Sequence, residues 1–219
     1  MNSEHLRDMM IYNKFFFILF ITVFSINSAF AYQGYVQKNS ILFDYSKLDK
    51  VKVEKEADTY FDMFLKASDN TKKEEYLNLA AGKYYLLSKI DSSRIQPYVR
   101  LGRIYDAKNK SKLAKENFYK ATNINAFDPY ANFYFAEYFF KRNDYKRALY
   151  YYNKAYQNGF NNRYDINLRL ATIYEKFGDL TNAKNFYGVS YSMKADDEIY
   201  QKIQSLNDPA YEKSEYYRE

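Results

Sequence analysis

The chain has no cysteine, no tryptophan and one histidine, His5, with only three prolines and six glycines among 219 residues. Without cysteine there is no disulfide, no thiolate metal site and no thiol nucleophile. His5 lies ahead of an apolar stretch at residues 15–26, which follows Lys14 and runs into Ala29-Phe30-Ala31. A basic flank, a short apolar core and an A-x-A end describe a secretory signal peptide, so residues 1–31 are expected to be removed near Ala31. The competing expectation is an uncleaved membrane anchor. That needs about 20 predominantly apolar residues, and Asn27, Ser28 and Gln33 interrupt the run early. Cleavage would remove Glu4, Asp8, Arg7 and Lys14 together with His5, which leaves the formal charge of +6 unchanged. A mature chain without histidine or cysteine lacks the commonest general base and most transition-metal ligands. The leading segment points to an exported protein, periplasmic or secreted, and these absences to one that is not an enzyme and holds no metal or cofactor.

Few glycines and prolines also imply long regular elements with short connections. The bulk comes from 27 tyrosines and 18 phenylalanines, and 47% hydrophobic residues predict order rather than disorder. Between residues 97 and 194 these bulky residues alternate with small ones in a pattern that recurs at spacings of 34 and then 35. Gly102, Ala136 and Ala171 line up, each preceded by Leu101, Phe135 or Leu170 and followed by Tyr105, Phe139 or Tyr174. A second small residue (Ala114, Ala148, Ala183), an aromatic (Phe118, Tyr152, Tyr187) and a third small residue (Ala121, Ala155, Ser190) complete each unit. Self-similarity at this period marks a solenoid of stacked units. Within a unit the apolar residues follow helical spacing, as in Phe133, Ala136, Phe139 and Phe140. Polar turns interrupt them at residues 108–111, 142–144 and 177–179. Asn109, Asn143 and Gly178 suit the left-handed residue that closes a helix, and Ser111, Asp144 and Asp179 suit the cap of the next. Asp128-Pro129 opens the middle unit in the same way.

This pattern resembles the tetratricopeptide repeat (TPR) family over units 95–128, 129–163 and 164–197. Tyr98, Asn132 and Asn167 stand where the family has tryptophan, and Ala126, Phe160 and Ala195 where it has proline. The resemblance implies an all-α, right-handed α-solenoid of helix–turn–helix repeats, three clear and one degenerate. The degenerate pair spans 51–94, with its helices separated by a loop at 68–73. It follows an irregular lead-in at 32–50. Ile199, Ile203 and Leu206 lie at i, i+4 and i+7 with polar residues between, giving a capping helix at 196–206. Residues 207–219 lack any apolar stripe and read as a mobile tail.

In TPR arrays the first helices of successive units line a groove that takes a peptide or a helix. Carried onto this chain, the groove presents Val99, Arg103 and Asp106 from the first unit. Tyr130, Phe133, Glu137, Phe140 and Lys141 come from the second, and Leu168, Thr172 and Glu175 from the third. Phe133 and Phe140 have a competing role as packing between units, and the charged members as solvated surface. The Lys and Asn that clamp a terminal carboxylate in some TPR adaptors are replaced by Val99 and Arg103, Phe133 and Glu137, and Leu168 and Thr172. The expected function is an exported adaptor that binds an envelope protein through this groove. The alternative is a glycan- or cell-wall-associated module assisting polysaccharide export or cell-wall assembly, with the run Tyr150-Tyr151-Tyr152 as its sugar face. Lys146-Arg147 and the lysines between 108 and 120 form a basic surface suited to an anionic glycan, a membrane surface or an acidic protein, rather than to nucleic acid.

Overall fold

The computed structural model describes residues 44–208. The signal-peptide expectation, most of the lead-in and nearly all of the expected tail lie outside the described residues. The described residues form nine α-helices and no strand, and none of these helices is long and apolar enough to cross a membrane. They fall into two compact units divided between Ile90 and Asp91.

The first unit is a helical hairpin, α1 (Lys50–Lys66) and α2 (Asn70–Ile90), preceded by a single 3-10 turn, Tyr45–Lys47. Asp49 caps α1 by accepting from the Lys52 amide at 3.0 Å. The connection is shorter than the expected 68–73 loop. Asp69 accepts from the Lys72 amide at 2.8 Å, so a helix can start at Asn70 within a polar run. Val53, Ala57 and Phe61 pack against Leu77, Ala80, Tyr84 and Leu87. The Tyr84 hydroxyl donates to Asp58 at 2.5 Å, satisfying a polar tip inside an apolar seam.

The second unit contains three hairpins, each with a first and a second helix. These are α3 (Ile95–Ala107) with α4 (Ser111–Ile124), α5 (Pro129–Phe140) with α6 (Tyr145–Ala155), and α7 (Tyr164–Lys176) with α8 (Leu180–Met193). A closing helix, α9 (Asp197–Ser205), packs on α8. Asn109, Asn143 and Gly178 take φ of 55°, 57° and 74°, the left-handed turn that reverses the chain inside each hairpin. Asp128, Asp144 and Asp179 each accept an amide at a helix start. Ser111 does not cap: it is already the first helical residue, and its hydroxyl shares a 2.7 Å hydrogen bond with Tyr138 of the next hairpin.

α5 packs on both α3 and α4, and α7 on α6, giving the stacked order of an α-solenoid. One apolar cluster runs from Phe118 through Phe135 and Tyr152 to Leu170 and Ile173. Asn132 and Asn167, at the family's tryptophan position, are fully buried. Asn132 donates to the carbonyls of Ala126 and Asp128 at 3.0 and 2.8 Å, tying its helix to the preceding connection. Asn167 repeats this with Asn161 and Arg163 at 2.8 and 2.7 Å.

The extra residue behind the spacing of 35 falls between Ala155 and Ala171. There α6 widens into a π-helical turn, Tyr156–Phe160, with Gly159 at φ 115°. A side chain is strained at that φ, which glycine adopts freely. The turn carries Phe160 onto Phe133, with ring centroids 5.9 Å apart.

Small residues set how closely paired helices approach, and Gly102 is the tightest case. A Cβ there would lie 2.7–2.8 Å from the Phe118 ring, which stacks on Phe135 at 5.5 Å. Gly102→Ala gains about 1 kcal/mol of helix propensity but must push that ring out of a filled seam. The expected net result is a destabilisation of about 1–3 kcal/mol. Chemical denaturation checks it, and a variant as stable as the parent would show that Phe118 yields freely.

Candidate functional site

The face made by the first helices α3, α5 and α7 belongs wholly to the second unit, and its charges pair across hairpins. Asp106 receives Lys141 at 3.0 Å and Arg142 at 2.8 Å. Glu137 receives Arg169 at 2.8 Å, and Glu175 receives Lys202 of α9 at 2.7 Å. Each carboxylate therefore holds its own helix to the next one along. Two of them also accept from a tyrosine in their own hairpin: Tyr152 donates to Glu137, and Tyr187 to Glu175 at 2.7 Å. The first hairpin has Phe118 in place of that tyrosine, with Arg103 at the position of Glu137 and Asp106 at that of Glu175.

The other expected groove residues occupy a range of depths. Val99 is buried against Ala121 and Ala131, and Phe133 is only 4% exposed. Phe133 is enclosed by Tyr134, Tyr152 and Phe160, with the Arg163 guanidinium 4.7 Å above its ring. Phe140 and Leu168 are half-buried, and Thr172 donates its hydroxyl to the Leu168 carbonyl at 2.8 Å. Arg169 lies 4.6 Å over Phe140, and Arg103 lies 4.2 Å over Tyr134. Tyr130 remains 55% exposed, its ring edge-on to Phe160 with centroids 4.9 Å apart, and Phe127 in the preceding connection is 66% exposed.

Arg169, Arg163, Tyr134, Phe127 and Phe160 were not among the residues expected from sequence. Only Phe160 had a signal, the one-residue lengthening before the third unit. The face that results is a row of aromatic rings capped by guanidinium groups, bordered by two exposed aromatics. Burial comes first in holding the Tyr152 phenol above its ordinary pKa, with the adjacent Glu137 charge second. Hydrogen bonding from Arg147 holds the Asp144 carboxyl below the usual range.

Among the described residues no cluster of three or more His, Cys, Asp or Glu side chains could hold a metal ion. A shallow, open recess lies at the hairpin turns between Asn143, Tyr145 and Phe177. The one carboxylate lining it, Asp144, caps α6 and binds Arg147. Tyr150 of the tyrosine run is 55% exposed on the opposite, second-helix face, with the Lys154 ammonium 4.8 Å from its ring.

Two segments, residues 95–128 and 164–197, match the tetratricopeptide repeat family model, and they coincide with the α3–α4 and α7–α8 hairpins. No curated protein matches the chain in sequence. Among solved structures, YrrB, described as a TPR protein with an unusual peptide-binding site, aligns with a TM-score of 0.60 at 16% identity. That alignment covers 85% of this chain and 87% of YrrB. MamA aligns with a TM-score of 0.55 at 17% identity over 74% of this chain and 87% of its own. Pseudomonas aeruginosa PilF aligns with a TM-score of 0.58 at 16% identity, covering 75% and 72%. The described residues thus form an all-helical array, and two of its hairpins match tetratricopeptide repeats.

Proposed function

We propose that the chain is an exported adaptor that holds a segment of a partner protein, peptide or helix, along the face of α3, α5 and α7. The observation that carries this reading is the row of guanidinium-capped rings, Arg103 on Tyr134 and Arg169 on Phe140, open beside Tyr130 and Phe127. Ring and guanidinium together offer a flat apolar surface and fixed N–H donors, which suits backbone carbonyls and side chains of a bound segment. The carboxylates on this face are held by cations of the neighbouring helices, so they set its shape rather than reach for a ligand. The likeness to YrrB, whose description includes a peptide-binding site, supports the same reading. Envelope location rests on the signal-like segment 1–31.

The test places a photo-reactive side chain at Tyr130, and separately at Tyr150 on the opposite face, in cells producing the full chain. A discrete protein adduct is expected from position 130 and not from 150. Arg103→Glu should reduce that adduct roughly tenfold or more, the scale of a lost charge-assisted contact, while circular dichroism stays unchanged. N-terminal sequencing of the same preparation should begin at Tyr32. Equal adducts from both positions would remove the groove reading, and an uncleaved segment ahead of Tyr32 would remove export by cleavage.

A further inference from the structure

Charge is divided unevenly between the two faces of the second unit. The first helices α3, α5 and α7 hold four cationic and four anionic side chains, whereas α4, α6 and α8 hold seven cationic side chains and one carboxylate, Glu116. Lys112, Lys120, Lys146 and Arg147 on α4 and α6 are exposed, and among the described cations of these helices only Arg147 is ion-paired, to Asp144. Tyr119 and Tyr150 are exposed between them, each with a lysine over its ring: Lys115 at 5.6 Å and Lys154 at 4.8 Å.

We propose that this outer face of α4 and α6 docks on an anionic lipid surface. The site is separate from the groove and does not depend on the adaptor reading. Its cations are dispersed over two successive second helices, with rings between them rather than a channel. A polymer strand needs a track that presents charge in series. Lipid headgroups diffuse laterally and can gather under each ammonium wherever it stands. Tyrosine, with an apolar body and a polar tip, partitions to the depth of the headgroups. Lysine stems reach past it while keeping their charge in water. Each cation near such a surface improves partitioning roughly fivefold, and the effect weakens within a Debye length as salt rises.

The absence of tryptophan allows a direct test in the full chain. Tyr150→Trp places a single fluorophore on this face, and Tyr130→Trp places one on the opposite face. With phosphatidylcholine vesicles containing about 30% phosphatidylglycerol, a blue shift is expected for Tyr150→Trp and none for Tyr130→Trp. The shift should be absent with pure phosphatidylcholine and reversed by about 0.5 M salt. Adding Lys146→Glu and Lys154→Glu should weaken the titration by roughly 25-fold or more. If that pair fails to fold by circular dichroism, Lys112→Glu on the neighbouring helix carries the same expectation. No shift for Tyr150→Trp, or an equal shift with neutral vesicles, overturns the proposal. So does a shift produced by soluble polyglutamate or alginate but not by the anionic vesicles, which would assign the face to an acidic polymer.

Discussion

Phe135→Ala is expected to cost about 3–5 kcal/mol and to split the unfolding of the second unit into two steps. Phe135 is fully buried at the seam between the first and second hairpins. Its ring lies 5.5 Å from Phe118 and 4.8 Å from Tyr119 of α4, and 4.7 and 4.4 Å from Phe139 and Tyr151 of its own hairpin. Removing it empties the point at which both hairpins share apolar contact. In a stacked array, stability is approximately the sum of each unit and its neighbour interface, so a damaged interface uncouples what it joined. The α3–α4 hairpin should then melt before the rest, seen in urea as a broadened transition with a lower apparent m-value. Phe177→Ala serves as the control, since that ring lies exposed at a turn and should cost less than about 0.5 kcal/mol. A Phe135→Ala loss below about 1.5 kcal/mol, with a single sharp transition, would contradict the seam described here.

The hairpins themselves were legible because their determinants are local. Alanine-sized residues at the crossings, helical spacing of the rings and the Asn or Gly turns each act within a dozen residues, and Asn109, Asn143 and Gly178 adopt the expected positive φ. Ser111 misled because a serine one residue inside a helix looks the same in sequence as one at its cap. The spacing of 35 was visible, but its consequence was not. The wide turn at Tyr156–Phe160 places Phe160 and Arg163 over Phe133 and buries a ring that family position alone assigns to an open groove.

The ion pairs were the least legible feature. Asp106 meets Lys141 at a separation of 35 residues, Glu137 meets Arg169 at 32 and Glu175 meets Lys202 at 27. A repeat period shows which residues share a face but not how far one helix slides along the next. That slide depends on side-chain size at each crossing. Arg169 and Lys202 therefore carried no signal, although Glu137 and Glu175 did.

Stability of the second unit should fall steeply above pH 10, and Tyr152→Phe should remove one proton's share of that fall. Tyr152 is fully buried, and its hydroxyl donates to Glu137. Burial and the nearby carboxylate both oppose the phenolate, so the folded-state pKa lies above that of the unfolded chain, near 10. Below pH 10 both states keep the proton and the group has no effect on the pH dependence. Above it the unfolded chain releases a proton that the folded one retains, and unfolding is favoured by about 1.4 kcal/mol per pH unit for this residue. Tyr151 shifts in the same direction, pushed up to about 12 by burial first and then by Tyr119 and Tyr150, so it extends the decline across pH 10–12. Urea denaturation between pH 8 and 11.5, followed by circular dichroism, gives the slope. Tyr152→Phe should lower the stability at pH 8 by about 1–2 kcal/mol, because Glu137 loses a donor, yet lose less with each pH unit above 10. The two curves should therefore converge at high pH. Parallel curves would mean that Tyr152 ionises as readily folded as unfolded, and that its bond to Glu137 is not maintained in solution.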